Sequence, residues 1–168
     1  MSKISLAQIA AILSITFLMD GALSLFGVAG NANKAMAAEK SAVQTAADME
    51  TIQGTWKFVS AEYDGKPNPR KTGDLVTFSE GQVIFHKSEK DTGQPPDVSY
   101  KLDATKNPKQ IDIIAKINNR EFFWRGIYEL DQNTLKYCIA TPDQPRAMEY
   151  VTRFRDGRTL AVFDRVKP

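Results

Sequence analysis

Cysteine and histidine are almost absent from this sequence, which has one of each in 168 residues. A single cysteine excludes an internal disulfide framework and a multi-cysteine metal site, and a single histidine excludes a histidine-rich metal site. An excess of charge is also missing, because 22 Lys and Arg residues stand against 20 Asp and Glu residues, for a net charge of +2. This balance argues against a nucleic-acid partner and against attachment to an anionic membrane surface. We therefore predict no metal site, no cofactor and no nucleic-acid partner.

Long uncharged runs are confined to the N-terminus. Lys3 precedes an uncharged run from Ile4 to Met19, and the small-residue sequence Ala35-Met36-Ala37 follows further on. A short basic start, an apolar run and small residues at a cleavage point are typical of a secretory signal peptide. We predict that residues 1–37 are such a signal peptide, that the protein is secreted or periplasmic, and that cleavage leaves no stable membrane insertion. The alternative is an uncleaved N-terminal membrane anchor over residues 6–28.

The rest of the chain has the length of one domain. Residues 38–50 are polar and Ala-rich, so we interpret them as a linker or a short helix. From Thr51 onward, apolar and polar residues alternate in short runs separated by turn-forming residues, as in half-buried strands. The positions predicted to face inward recur every second residue. They are Trp56 and Phe58; Val98, Tyr100 and Leu102; Ile111, Ile113, Ala115 and Ile117; Trp124, Gly126, Tyr128 and Leu130; Leu135, Tyr137 and Ile139; Met148, Tyr150, Thr152 and Phe154; and Leu160 and Val162.

This spacing predicts an antiparallel meander of about eight or nine strands over residues 51–168. The strongest hairpin signal is Asp156-Gly157, which suits the positive φ angles of a type I′ turn. A meander of this size removes its unpaired edges when it closes into an up-and-down barrel. The predicted fold class is therefore all-β, with a single small antiparallel β-barrel after the N-terminal signal segment. An eight-stranded barrel is either filled by side chains or able to hold one small ligand, and the sequence leaves both open.

The start and the end of the predicted barrel resemble the lipocalin and calycin superfamily. Its first strand opens with Gly-x-Trp, which is Gly54-Thr55-Trp56 here. The resemblance implies a basic residue in the last strand that packs across that tryptophan, and Arg165 stands in the corresponding place. A cation over an indole face is favourable by roughly 0.5–2 kcal/mol. Gly54, Trp56 and Arg165 are thus the structural signature that the resemblance implies.

Further motifs are similar to a family of uncharacterised lipocalin-like domains abundant in planctomycete bacteria. The similarity covers about residues 51–166. The matching motifs are Ile52-Gln53-Gly54-Thr55-Trp56-Lys57, Asp64-Gly65-Lys66-Pro67, Leu102-Asp103, Asn107-Pro108-Lys109-Gln110-Ile111-Asp112, Gly126-Ile127-Tyr128-Glu129-Leu130 and Leu135-Lys136-Tyr137-Cys138. This family has no established activity, so the resemblance implies a fold and not a reaction. The domain is shorter than a full lipocalin and has no cysteine pair, so a large ligand chamber is not implied.

Inward aromatic residues are the candidates for a binding pocket. In a small barrel, such residues either fill the core or line a cavity in which tyrosine hydroxyls anchor a ligand. Glu62 joins them if the alternation from Trp56 and Phe58 continues, because its carboxylate then points into or over the barrel mouth. The alternative for Glu62 is a solvated rim position, since the strand ends there. The candidate ligand-binding residues are Phe58, Glu62, Trp124, Tyr128, Tyr137 and Tyr150.

No catalytic motif accompanies these residues. His86 could act as a general base, but neither a nucleophile motif nor a second histidine is present, and we interpret it as a solvent-facing strand residue. Cys138 lies among apolar residues in mid-strand, where a thiol is inert, so we interpret it as a small buried hydrophobe. We expect a non-enzymatic protein that binds a small apolar or amphipathic molecule in the barrel mouth. The alternative is a filled barrel that serves as a protein-interaction or structural module of the cell envelope, with an unknown partner.

Overall fold

The computed structural model describes residues 28–86 and 97–167 of the chain. Most of the predicted signal segment, and nearly all of the loop between residues 86 and 97, lie outside the described residues. The first element is helix α1, Val28–Thr51, which contains residues 38–50 and also the predicted cleavage point after Ala37. No helix in the described part of the chain is long and apolar enough to cross a membrane.

Nine antiparallel strands follow the helix, and eight of them close into a barrel. The strands are β1 Gly54–Tyr63, β2 Lys66–Pro67, β3 Leu75–Ser79, β4 Gln82–Phe85, β5 Asp97–Asp103, β6 Gln110–Ile117, β7 Arg120–Leu130, β8 Thr134–Ala140 and β9 Arg158–Arg165. From β3 to β9 each strand pairs with the next along the chain, β3 also pairs with β1, and the pairing of β1 with β9 closes the barrel. β2 pairs with β1 alone, and a short 3-10 turn, Pro69–Lys71, lies between β2 and β3. The predicted all-β antiparallel barrel is confirmed.

Tight turns with positive φ angles connect several neighbouring strands. Each joins two directly paired residues through two central residues, as a type I′ hairpin does. The central residues are Asp64 and Gly65 between β1 and β2, Glu80 and Gly81 between β3 and β4, and Asn118 and Asn119 between β6 and β7. Short polar side chains and glycine tolerate this conformation best, which explains why most of these positions hold Asp, Asn or Gly.

The strand predicted over Met148–Phe154 and the hairpin predicted at Asp156-Gly157 are wrong. β8 already pairs with β7 and β9, and β9 with β8 and β1, so the closed barrel has no edge for another strand. The connection between β8 and β9, residues 141–157, instead crosses the outer surface of the barrel. There it covers Ile127 and Cys138 with Ala147 and Tyr150. Phe154, predicted to face inward, has 68% of its surface exposed. The prediction that Leu160 and Val162 face inward is also wrong, because the buried positions of β9 are Ala161 and Phe163.

A β-bulge in β1 overturns the expected orientation of Glu62. The register between β1 and β9 shifts between Phe58 and Ser60, so the inward positions after the bulge move by one residue. Ala61 is therefore part of the buried core, and Glu62 lies on the outer face, where its carboxylate accepts a hydrogen bond from Thr152 Oγ1 at 3.1 Å. The prediction that Glu62 points into the barrel is wrong.

Helix α1 covers one end of the barrel, which we call the helix end. Trp56 Nε1 donates a hydrogen bond to the Ile52 carbonyl at 2.8 Å, and both residues are fully buried. Large side chains fill this half of the interior. They include Ile52, Trp56, Phe78, Tyr100, Ile111, Tyr128, Leu135 and Phe163.

Candidate functional site

A cavity of about 230 Å³ lies in the half of the barrel away from α1, at the end that we call the mouth. Its walls come from β4, β5, β6, β7 and β8. The lining residues are Phe85, Val98, Ile113, Ala115, Ile117, Trp124, Tyr137 and Ile139. The barrel is therefore filled at the helix end and hollow at the mouth, so both possibilities left open by the sequence are realised, each in one half.

Register between the strands brings these residues together. Val98 of β5 lies opposite Ala115 of β6, and Ile113 of β6 lies opposite Trp124 of β7. Opposite residues of neighbouring strands point to the same face of the sheet. The wall is formed mainly by branched aliphatic side chains, and Ala115 contributes only a methyl group, which leaves space in front of it.

The β7–β8 side of the wall depends on a close approach of the two backbones. Gly126 lies opposite Ile139, and a Cβ atom at Gly126 would come within 1.9 Å of the Cys138 carbonyl oxygen. Glycine is therefore the residue that lets β7 and β8 pack at this distance. Gly126 thus serves this close approach of the two strands.

Among the described residues that line the cavity, Tyr137 is the only one with a side-chain oxygen. Tyr137 is 5% exposed, and its ring packs on Phe163 with the ring centroids 5.0 Å apart. Its hydroxyl has no hydrogen-bond partner within the described residues, and burial raises the pKa of this phenol, so the group stays neutral. The indole nitrogen of Trp124 is the other polar side-chain atom of the wall. The cavity is thus an apolar space with very few polar atoms.

Of the predicted binding residues, Trp124 and Tyr137 line the cavity and the other four do not. Phe58 packs in the core against Phe163, with the ring centroids 4.2 Å apart. Tyr128 lies toward the helix end, where its hydroxyl donates a hydrogen bond to Asp48 of α1 at 2.6 Å. Tyr150 lies outside the barrel, beneath the ammonium group of Lys136, whose Nζ is 4.1 Å from the ring centroid. Glu62 is on the outer face, for the reason given above.

The aliphatic residues of the cavity wall are not among the predicted binding residues. The alternation predicts that Val98, Ile113, Ala115, Ile117 and Ile139 face inward, and this is correct for the four that are buried, which are all but Ile117. This alternation is the signal in the sequence that points to them. Which inward residues surround the cavity depends on their height along the barrel axis, and that height is set by the register between strands, which local sequence does not encode.

The residues implied as a structural signature meet at the helix end. Arg165 pairs with Trp56 across β9 and β1, and its guanidinium carbon lies 4.1 Å from the Trp56 ring centroid. Its Nη1 donates to the Gln53 carbonyl at 2.7 Å, and its Nη2 donates to the Thr51 carbonyl. Gly54 leaves room for this arrangement, because a Cβ atom there would lie 3.1 Å from Arg165 Nη1. Arg165 thus joins the first strand, the last strand and the end of α1.

A network centred on Asp48 also attaches α1 to the barrel. Asp48 accepts hydrogen bonds from Lys109 Nζ at 2.7 Å, Tyr128 Oη at 2.6 Å and Gln44 Nε2 at 2.9 Å. Burial by itself would raise the pKa of this carboxyl, but these donors and the positive charge of Lys109 outweigh it and hold the pKa below its usual value. Asp48 is therefore a buried carboxylate that holds the helix in place.

His86 and Cys138 lie outside the cavity wall. His86 is exposed, and one of its ring nitrogens lies 2.8 Å from Thr77 Oγ1. Cys138 is fully buried beneath residues 141–157, and burial raises the pKa of its thiol. Within residues 28–86 and 97–167, no group of three or more His, Cys, Asp or Glu side chains is arranged to hold a metal ion. Comparison with known proteins gives no match to a family model, a curated protein or a solved structure.

Proposed function

We propose that this protein is a lipocalin-like, non-enzymatic binding protein that takes a small apolar molecule into the mouth of its barrel. The observation that carries the proposal is the cavity of about 230 Å³ with its almost wholly hydrocarbon wall. Binding would be driven by the removal of apolar surface from water, worth roughly 25 cal/mol per Å². The wall lacks a nucleophile paired with a base, which supports binding over catalysis.

The volume of the cavity sets the size of the ligand. An apolar protein cavity of about 150 Å³ binds benzene, which has six non-hydrogen atoms. By the same ratio, the cavity of about 230 Å³ accepts about nine. A dissociation constant of about 1 µM corresponds to about −8.2 kcal/mol, or about 0.9 kcal/mol per atom for nine atoms. This is below the ceiling of about 1.5 kcal/mol per atom for very small ligands, so micromolar affinity is attainable.

Cumene, an uncharged hydrocarbon with nine non-hydrogen atoms, is a suitable probe. We expect saturable binding by isothermal titration calorimetry, with amide NMR shifts concentrated in the mouth half of β5 to β8. Ala115→Phe places six additional carbon atoms in the cavity and should weaken binding at least tenfold. Ile114→Phe places the same phenyl ring at the adjacent, outward-facing position and should leave binding unchanged.

The proposal fails if neither cumene nor any other probe molecule of the same size binds, or if both variants bind as the wild type does. The first result would favour the alternative, in which the barrel is a protein-interaction or structural module of the cell envelope. Thermal unfolding of both variants controls for loss of the fold.

We also propose that the protein is exported by cleavage of residues 1–37. The arrangement of α1 supports this, because the contacts with the barrel that are described for it come from residues after Ala37, such as Thr45, whose hydroxyl accepts a hydrogen bond from the Ala104 amide at 3.1 Å. Residues 34–40 are exposed, so cleavage would leave the docked part of α1 intact. The N-terminal mass of the secreted protein tests the cleavage point. Intact Met1 in the membrane fraction would instead support the N-terminal anchor.

A further inference from the structure

The hydroxyl of Tyr137 bears on the polarity of the ligand, which the volume of the cavity does not determine. A hydroxyl that a ligand shields from water loses its hydrogen bond to water, which is unfavourable unless the ligand offers a partner in return. Tyr137 is 5% exposed and lines the cavity. Within the described residues its hydroxyl has no hydrogen-bond partner, and it is not one of the polar atoms that are fully enclosed. A ligand that displaces water from the cavity therefore binds best when it carries an atom that can hydrogen-bond to this group.

The remaining wall restricts the ligand further. None of the lining side chains in residues 28–86 and 97–167 is charged, so a carboxylate or an ammonium group that contacts them would lose its hydration without gaining an ion pair. A second polar group would also lack a partner, apart from the indole nitrogen of Trp124, which donates only. The best match is one oxygen atom on an otherwise apolar ring or branched chain.

We propose, on the basis of the binding function proposed above, that the cavity selects neutral ligands of about nine non-hydrogen atoms that carry one hydrogen-bonding oxygen, with the Tyr137 hydroxyl as its partner. Simple ketones, phenols and alcohols with a single ring belong to this class. Tyr137 is then a specificity-determining residue, and the seven other lining residues supply the apolar contact area.

Three probes with nine non-hydrogen atoms each test this proposal. Acetophenone carries one carbonyl oxygen, cumene carries none, and benzoate carries a negative charge. We expect acetophenone to bind more tightly than cumene, and benzoate to bind at least tenfold more weakly than acetophenone. Tyr137→Phe should weaken acetophenone binding by about threefold to tenfold and leave cumene binding unchanged or slightly stronger.

Tyr63→Phe is the matched control, because Tyr63 is 46% exposed and does not line the cavity. The same chemical change at this position should leave the affinity for every probe unchanged. Tyr137→Phe should unfold at about the same temperature as the wild type, because the hydroxyl makes no hydrogen bond to the described part of the protein. Equal effects of Tyr137→Phe on acetophenone and cumene would overturn the proposal, as would benzoate binding as tight as that of acetophenone. Failure of all three probes to bind the wild type would overturn the proposed function itself.

Discussion

Asp48 and Tyr128 offer the sharpest test of how α1 is held on the barrel. Asp48→Ala removes a buried carboxylate that accepts hydrogen bonds from Tyr128 and Lys109. The Tyr128 hydroxyl then loses its hydrogen-bond partner, and water cannot readily replace it because Tyr128 is only 1% exposed. Lys109 loses less, because 32% of its side chain is exposed and water can replace the carboxylate. The cost of the substitution is therefore concentrated at Tyr128.

The magnitude follows from these contacts. A hydrogen bond to a charged group contributes about 1.5–3 kcal/mol, and a buried hydroxyl without a partner costs about 1–3 kcal/mol. Since the two figures partly describe the same loss, we expect Asp48→Ala to lower the free energy of unfolding by about 3 kcal/mol. For a domain of this size, about 4 °C per kcal/mol gives a fall in Tm of about 12 °C.

A double-mutant cycle separates this mechanism from a general weakening of the helix. Tyr128→Phe removes the hydroxyl, so Asp48→Ala should cost less in that background. We expect the double variant to be more stable than the sum of the single effects by about 1–2 kcal/mol, measured by urea unfolding. Glu50→Ala, an exposed carboxylate on the same helix, should change stability by less than about 0.5 kcal/mol. Additive effects of Asp48→Ala and Tyr128→Phe, within about 0.5 kcal/mol, would refute the reasoning.

Three further predictions concern the backbone, pH and local stability. Gly126→Ala should lower the free energy of unfolding by about 3 kcal/mol in thermal or urea unfolding, because its Cβ would meet the backbone of β8, and a neutral result would mean that the strands separate easily. The lowered pKa of Asp48 means that its contribution to stability is present above its unfolded pKa of about 3.9 and is lost as the pH falls through the folded pKa. Between pH 5 and pH 2, the free energy of unfolding should therefore change less with pH in Asp48→Asn than in the wild type. Identical pH dependence of the two proteins would contradict this. Amides of β4 should exchange with deuterium faster than those of β6, because β4 has four residues and, within the described part of the chain, pairs with β5 at Gln82 and Ser99 alone. Equal rates of amide exchange in β4 and β6 would show that the pairing of β4 with β5 is not a weak point of the barrel.

Much of the fold was predictable because side-chain alternation in a strand is a local property. The period of two at Val98, Tyr100 and Leu102, and again at Ile111 and Ile113, predicted both the strands and the faces that are buried. The closed barrel followed from the number of strands and the cost of unpaired edges. The same alternation predicted that Trp124 and Tyr137 face inward, and both line the cavity.

The errors arose where distant parts of the chain decide the outcome. Glu62 faces outward because β1 contains a bulge where it pairs with β9. The additional residue of the bulge exchanges the inward and outward faces for every later residue of the strand. Tyr150 alternates as a strand residue does, yet barrel closure leaves no edge for it, so residues 141–157 cross the outer surface.

The sequence by itself determined an antiparallel barrel and the inward positions of β5 to β8. Only the tertiary structure decided which inward residues surround open space. That depends on the register between strands, on α1 filling one end, and on the single methyl group of Ala115 at the other. These are properties of residues far apart in the chain, and a cavity exists only where their side chains together leave volume unfilled.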